Sequence, residues 1–160
     1  MLEIGSAAPL LELEDTEGQR VTLADLVAEP GRRGVLVYFL RSASCPVCNL
    51  HVRKLIKKAD EYAGAGVQIM VAVPEDREEA ARWKAKGKIP FRVVTGRRGS
   101  PHEAIGLVRK LFGSMQQSGS ILVDADNVIR HAHGATNPMN SYDRARIAAA
   151  VEQLRVTSTS

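Results

Sequence analysis

The spacing of apolar residues changes several times along the chain, and each change marks an element. Leu11 and Leu13 alternate with Glu12 and Glu14, Asp15-Thr16-Glu17-Gly18-Gln19 is a run of turn formers, and Val21 and Leu23 then lead into Ala24-Asp25-Leu26. Alternation interrupted by a polar, Gly-containing turn predicts short extended segments folded back as a hairpin. GVLVYFL, residues 34–40, is apolar throughout and rich in β-branched and aromatic side chains, the pattern of a strand covered on both faces. From Pro46 to Tyr62 the period becomes helical. Cys48, Val52, Leu55, Ala59 and Tyr62 fall at steps of four, three, four and three, on one helix face. Gly64 and Gly66 stop that helix, and VQIMVAV (67–73) is a second buried strand.

Asp76 with Glu79 forms a capping-box pattern for a helix through Lys86, ended by Gly87. IPFRVVT follows as a short strand. Ser100-Pro101-His102-Glu103 predicts another helix start, with Ala104, Ile105, Val108, Leu111 and Phe112 as its buried stripe and Gly113 as its end. SILVDADNVIRHAH has the pattern of a hairpin turning at Asp-Ala-Asp-Asn, and a last helix runs from about Tyr142 to Arg155, burying Ile147, Val151 and Leu154. Strands alternating with helices in this order predict an α/β protein with a central mixed β-sheet, helices on both faces and an N-terminal β-hairpin extension. Residues 1–160 are expected to form a single domain, with 155–160 a frayed tail.

Composition narrows the partners more than the fold. The chain is 160 residues long, 44% hydrophobic and 25% charged, which is ordinary for a globular domain that buries roughly 70% of its extended-chain surface and needs no staples. No apolar run approaches the roughly 18 residues that span a bilayer, so no membrane partner is expected. The first residues are acidic and lack a basic segment before an apolar one, which argues against a signal peptide and for a cytoplasmic protein. In that compartment a disulfide is more often catalytic or redox-sensing than structural. The net charge of +4 is spread over scattered pairs such as Arg32-Arg33, Lys57-Lys58 and Arg97-Arg98, and aromatic residues make up only 4%. These charges are a solvated surface, and no nucleic-acid partner is expected.

The candidate chemistry lies in FLRSASCPVCNLHVRKL, residues 39–55, which holds both cysteines as Cys45-x-x-Cys48. Cys45 stands at the end of a buried strand and just before a helix whose first position suits Pro46. Free backbone donors and the helix dipole favour an anion there, and hence the nucleophilic thiolate. Arg41, four residues earlier, adds positive potential if it points inward. Cys48 opens the apolar stripe and should be less exposed, so the pair suits an accessible attacking thiolate with a covered resolving partner. Two alternatives stand beside this. Cys45, Cys48 and His51 with His131 or His133 have zinc-ligand character, or the thiols are inert. His51 is more simply explained as a polar helix position, His131 and His133 as solvent-facing strand residues, His102 as a first-turn residue and Trp83 as a packing residue. The strand-to-helix setting favours redox chemistry.

These residues carry a family resemblance. IGSAAPLLEL with DTEGQRVTLADL resembles the opening hairpin of redoxin domains, the alkyl hydroperoxide reductase and thiol-specific antioxidant (AhpC/TSA) proteins of the thioredoxin superfamily. GVLVYFLRSASCPVC resembles their strand and active-site turn, GVQIMVAVPEDREEAARWKAKGKIPF their next strand and helix, and ILVDADNVIRHAHGA their closing hairpin. The resemblance covers roughly residues 2 to 154. It implies a thioredoxin-like fold and a peroxiredoxin-like thiol peroxidase, with Cys45 attacking hydrogen peroxide or an organic hydroperoxide and Cys48 resolving the sulfenic acid. Ser42 matches the hydroxyl position of the pattern P-x-x-x-T/S-x-x-C, whereas Tyr38 stands in place of its proline. Gln117-Ser118-Gly119-Ser120 carries neither the arginine usual in peroxiredoxins nor the proline usual in thioredoxins, and Arg41 is the candidate to replace that arginine. The chemistry runs on the two thiols without a cofactor or metal. An external reductant, a thioredoxin-type protein or a small thiol, would restore them, and the chain would act as a monomer or homodimer. The same pair could instead serve a thiol–disulfide oxidoreductase with a disulfide substrate.

Overall fold

The computed structural model describes residues 2–97, 101–107, 109–110 and 115–157. The chain runs through β1 (Leu13–Asp15), β2 (Arg20–Val21), α1 (Leu23–Val27), β3 (Gly34–Phe39), α2 (Pro46–Gly64), β4 (Val67–Ala72), α3 (Arg77–Gly87) and β5 (Arg92–Gly96). One helical turn, α4 (Pro101–Ala104), and the strands β6 (Arg109–Lys110) and β7 (Met115–Gln116) follow. The hairpin β8 (Ser118–Asp124) and β9 (Ile129–Ala135) then leads to α5 (Arg144–Thr157).

Seven strands form one mixed sheet in the order β2-β1-β5-β4-β3-β8-β9, and β6 and β7 pair separately. β3, β4 and β5 are parallel neighbours, while β8 lies antiparallel on the other side of β3. β3 is therefore central, and all six of its residues are buried. Its side chains alternate between two cores. Leu36 and Tyr38 pack with Cys48, Val52 and Leu55 of α2, Ala80 of α3, and Ile147, Val151 and Leu154 of α5. Val35, Val37 and Phe39 pack on the other face with Leu23 and Leu26 of α1, with Leu11 and Leu13, and with Ile105 and Leu107. Each such side chain taken fully out of water contributes roughly 1.5–3 kcal/mol before ordering entropy is counted. The architecture is the expected α/β sheet with helices on both faces, and the N-terminal hairpin extends it by pairing β1 with β5.

Several boundaries differ from the sequence expectation, and at three of them a local cause is visible. The helix begun at Pro101 stops after one turn instead of reaching Phe112. Gly106 takes a left-handed φ of 86°, and the amides of Gly106 and Leu107 close back on the carbonyls of Glu103 and His102 at 3.0 and 2.8 Å. Those two bonds are a Schellman termination. Ser100, Val108, Leu111, Phe112 and Gly113 of that expected helix lie outside the described residues. In α3 the left-handed C-cap is Lys88 (φ 50°) rather than Gly87, which stays helical. α5 starts two residues late because the Asp143 carboxylate accepts the Arg146 amide at 3.0 Å, as an N-cap side chain does. It continues through Thr157, so 155–157 of the expected frayed tail are helical, and 158–160 lie outside the described residues.

Gly119 is held between Phe39 of β3 and Gly134 of β9, and a Cβ there would run into the His133 carbonyl oxygen. Backbone on both sides leaves little room to yield. Gly119→Ala is expected to destabilise the protein by about 3 kcal/mol, read as a lower urea midpoint with unchanged slope.

Candidate active site

The end of β3 aims the chain at the site. The Leu40 amide donates to the Ala72 carbonyl at 2.9 Å, and the Leu40 carbonyl accepts from His102 Nε2 at 2.6 Å. His102 is fully buried and stands edge-on to Phe39 at 5.3 Å between ring centroids. Both backbone groups of Leu40 are thereby used, and residues 41–44 leave the sheet on a defined course.

That turn is clamped from below. The Ala43 amide donates to both Glu75 carboxylate oxygens at 3.0 and 3.1 Å. The Asn49 side-chain amide donates to the carbonyls of Ala43 and Cys45 at 2.9 and 2.8 Å, and its oxygen accepts Trp83 Nε1–H at 2.8 Å. The Cys45 amide closes the turn on the Ser42 carbonyl at 3.2 Å. Trp83 thus does more than pack: it orients Asn49. Removing this clamp strands the indole N–H and takes a side-chain donor from two carbonyls, of which that of Cys45 keeps the Asn49 backbone amide at 3.0 Å. Asn49→Ala is expected to lower stability by about 2 kcal/mol and to speed iodoacetamide capture of Cys45, checked by denaturation and by mass-resolved alkylation.

Cys45 is the N-cap of α2, with extended φ and ψ of −69° and 115°, and Pro46 begins the helix as expected. Its sulfur accepts the Cys48 amide at 3.3 Å, one of the orphan donors of the first turn. Cys48 is completely buried and Cys45 is 5% exposed. The order of exposure follows the sequence expectation, but Cys45 is far more enclosed than an open attacking thiolate. Both cysteines are free thiols. Burial pushes the Cys48 thiol up to about 11, with neighbouring Cys45 acting in the same direction. The Arg41 backbone amide, 3.4 Å from the Cys48 sulfur, and the Tyr38 hydroxyl act the other way.

Arg41 therefore meets Cys48 through its main chain. Ser42 lies in the turn, where its hydroxyl shares a bond with Ser44 Oγ at 3.2 Å. Arg41 and Ser42 lie in the turn between β3 and α2, Cys45 caps α2, and Cys48 lies in its first helical turn.

Near Cys48 lies a polar cluster that the sequence reading missed. Tyr38 Oη is 2.8 Å from His51 Nδ1 and 3.1 Å from Ser141 Oγ, and all three residues are buried. His51 also stacks on Tyr142, with ring centroids 5.1 Å apart. His51 is thus not a solvated helix position. Burial, helped by Lys54, lowers its pKa to about 4, so the imidazole is neutral at neutral pH. His131 corrects the second histidine expectation. It is 2% exposed, bonds Ser120 Oγ through Nε2 at 3.0 Å, and is held near 4 by burial and by Arg146. His133, half-buried, donates from Nε2 to the Asn140 carbonyl at 2.6 Å. Among the described residues no group of three or more His, Cys, Asp and Glu side chains is placed to share a metal ion. One sequence signal pointed at the cluster: Tyr38 is the sole residue of β3 with a polar group to satisfy inside an otherwise apolar strand.

Residues 4–132 match the AhpC/TSA family. Over 147 residues the chain is 30% identical to peroxiredoxin Bcp of Escherichia coli (strain K12), covering 89% of this chain and 92% of that one. Its fold is similar to the crystal structure of peroxidoxin BcpB from Mycobacterium tuberculosis, with a TM-score of 0.77, 17% identity and 98% of both chains covered. It is also similar to a thiol peroxidase from Chromobacterium violaceum, with a TM-score of 0.78 and 17% identity over 96% of this chain and 88% of that one. The class is that of the peroxiredoxins, thiol-dependent peroxidases of thioredoxin-like fold. The chain belongs to the AhpC/TSA family.

Proposed function

We propose that this thiol peroxidase uses Cys45 as its peroxidatic cysteine and Cys48 as its resolving cysteine. One observation carries the assignment: Cys45 caps α2 with its sulfur on a helix-start amide, while Cys48 lies against it as a buried thiol. In the first step the Cys45 thiolate attacks the terminal oxygen of hydrogen peroxide or an organic hydroperoxide. The S–O bond forms, the O–O bond breaks, and the departing hydroxide or alkoxide takes up a proton to leave as water or alcohol. Ser42, in the turn that leads to Cys45, supplies a hydroxyl to hold the peroxide, and Arg41 supplies positive charge beside the turn; both are positioning roles. The nearly closed site favours small peroxides and slows bulky thiol reagents.

In the second step the Cys48 sulfur attacks the Cys45 sulfenic acid, forming the disulfide and releasing water. A thioredoxin-type dithiol or a small thiol reduces it. The protein acts in the cytoplasm as a monomer or homodimer. Among the described residues no helix is long and apolar enough to cross a membrane.

The test is stopped-flow reaction of the reduced protein with hydrogen peroxide and with an organic hydroperoxide, followed by intact mass. A fast reaction ending in loss of two hydrogens supports the assignment. A rate no better than that of a free thiol, together with rapid reduction of a protein disulfide, turns the site into a thiol–disulfide oxidoreductase.

A further inference from the structure

His102 is fully buried and belongs to none of the steps assigned to the two cysteines. The single turn α4 carries it, and the buried Ile105 and Leu107 that follow anchor that turn in the core Phe39 shares with α1. Its Nε2–H donates to the Leu40 carbonyl at 2.6 Å. That carbonyl and the Arg41 N–H are the two ends of one peptide unit. The described chain has no cis peptide bond, so the two groups point in opposite directions from one rigid plane. The Arg41 N–H donates to the Cys48 sulfur at 3.4 Å, and Cys48 belongs to the core on the other face of the sheet. One peptide at the end of β3 therefore joins a buried imidazole to a buried sulfur.

Two effects pass along this chain of bonds. Donation to a carbonyl polarises the peptide and makes its N–H a better donor, a strengthening of about 10–30% per bond. Holding the oxygen also fixes the plane, and with it the direction of the N–H. Cys48 is sealed from water, so negative charge growing on its sulfur must be met by donors from the protein. We propose that His102 is a positioning residue for Cys48: by holding and polarising the 40–41 peptide, it aims a stronger N–H at the sulfur whenever that sulfur gains charge. This rests on the assignment of Cys48 as the resolving cysteine.

Charge reaches Cys48 twice in a cycle, and His102 keeps its proton in both steps. In closure the Cys48 sulfur attacks the Cys45 sulfur, the S–S bond forms as the S–O bond breaks, and hydroxide leaves as water with the Cys48 proton. In reduction an external thiolate attacks Cys45, the S–S bond breaks, and Cys48 takes the electron pair as a thiolate. The second thiol of the reductant gives Cys48 its proton and then displaces Cys45 from the mixed disulfide. A sulfur that accepts charge less readily is slower as nucleophile and as leaving group alike.

His102→Met and His102→Gln place side chains of similar length here, and only Gln ends in an N–H donor. Three quantities are read in each: dimedone capture of the Cys45 sulfenic acid, the rate of disulfide closure by quenched mass, and the Arg41 amide-proton chemical shift in the reduced protein. His102→Met is expected to leave capture within about twofold of the parent, to slow closure about threefold and to move the Arg41 amide upfield. His102→Gln should return closure and the amide close to the parent. Closure or amide unchanged in His102→Met overturns the proposal. Equal slowing by Met and Gln overturns it too, as does equal slowing of capture and closure, because lost packing acts that way. Should His102→Met fail to fold, the coupling is read from its other end: Cys48→Ala should shift the His102 Nε2–H resonance, and an unmoved resonance is equally fatal. If the parent protein does not react with peroxide, the peroxidase assignment falls. Glutathione reduction of the preformed Cys45–Cys48 disulfide then still decides the role of His102, since Cys48 is the leaving group: slowing in His102→Met that His102→Gln restores supports it, and an unchanged rate overturns it.

Discussion

Cys45→Ser is expected to reduce peroxide consumption to the rate of protein-free buffer, whereas Cys48→Ser leaves the reaction with the first equivalent of peroxide intact and slows the turnover that follows. The contrast follows from the geometry. Cys45 alone sits where a helix-start amide meets its sulfur, and a serine hydroxyl is not ionised at neutral pH, so Cys45→Ser removes the nucleophile altogether. Cys48 lies beneath it and is fully buried. In Cys48→Ser one equivalent of peroxide adds a single oxygen to the mass, and dimedone captures the product. Excess peroxide then carries it on to sulfinic acid, since no neighbouring thiol intercepts it. Steady-state turnover with a thioredoxin-type dithiol should fall at least tenfold, and turnover with a small thiol should survive better because that thiol can reach the sulfenic acid directly. A Cys48→Ser protein that never accumulates the extra oxygen, although folded, would contradict the assignment of both cysteines.

Acid is expected to weaken the fold between pH 6.5 and pH 4 more than carboxylate titration alone would. His51 and His131 both have folded pKa values lowered to about 4 from the usual 6.5, first by burial and then by nearby Lys54 and Arg146 respectively. The neutral rings are what the folded state accommodates, while the unfolded chain binds protons freely below 6.5. Between the two values the unfolded state holds more protons, so stability rises with pH across this window and is lost as pH falls through it. Above 6.5 the contribution is complete, and below about 4 these two groups take no more away. Together they amount to a few kcal/mol, a sizeable part of a typical domain's stability. Urea midpoints at pH 7, 5.5 and 4 measure the slope, and His51→Asn should flatten part of it. A midpoint indifferent to pH over this range would show that the rings are not kept neutral by the fold.

The alternation of apolar residues was enough to place the strands of the sheet, because burial on one face or two leaves a period of two or an unbroken run. β3, β4 and α2 lie within a residue or two of their expected bounds. The strand-to-helix step at Cys45-Pro46 was also legible, since cap preference and proline at the first helical position are local properties. Local reasoning went wrong where one residue's conformation outweighed a periodic stripe. Gly106, in its left-handed turn, ended α4 long before Phe112.

What the sequence determined by itself is the α/β layering, the family pattern and the two thiols at a helix start. What only the tertiary structure decided is the surroundings that set their chemistry. Asn49 reaches Trp83 from another helix, His102 reaches back to Leu40, and Tyr38 meets Ser141 across 103 positions of chain. His51 and His131 read as polar surface because a histidine's place in a helix or strand does not reveal what packs over it. Periodicity reports which face an element buries; burial depth and hydrogen-bond partners depend on the elements folded against that face, and these come from distant parts of the chain.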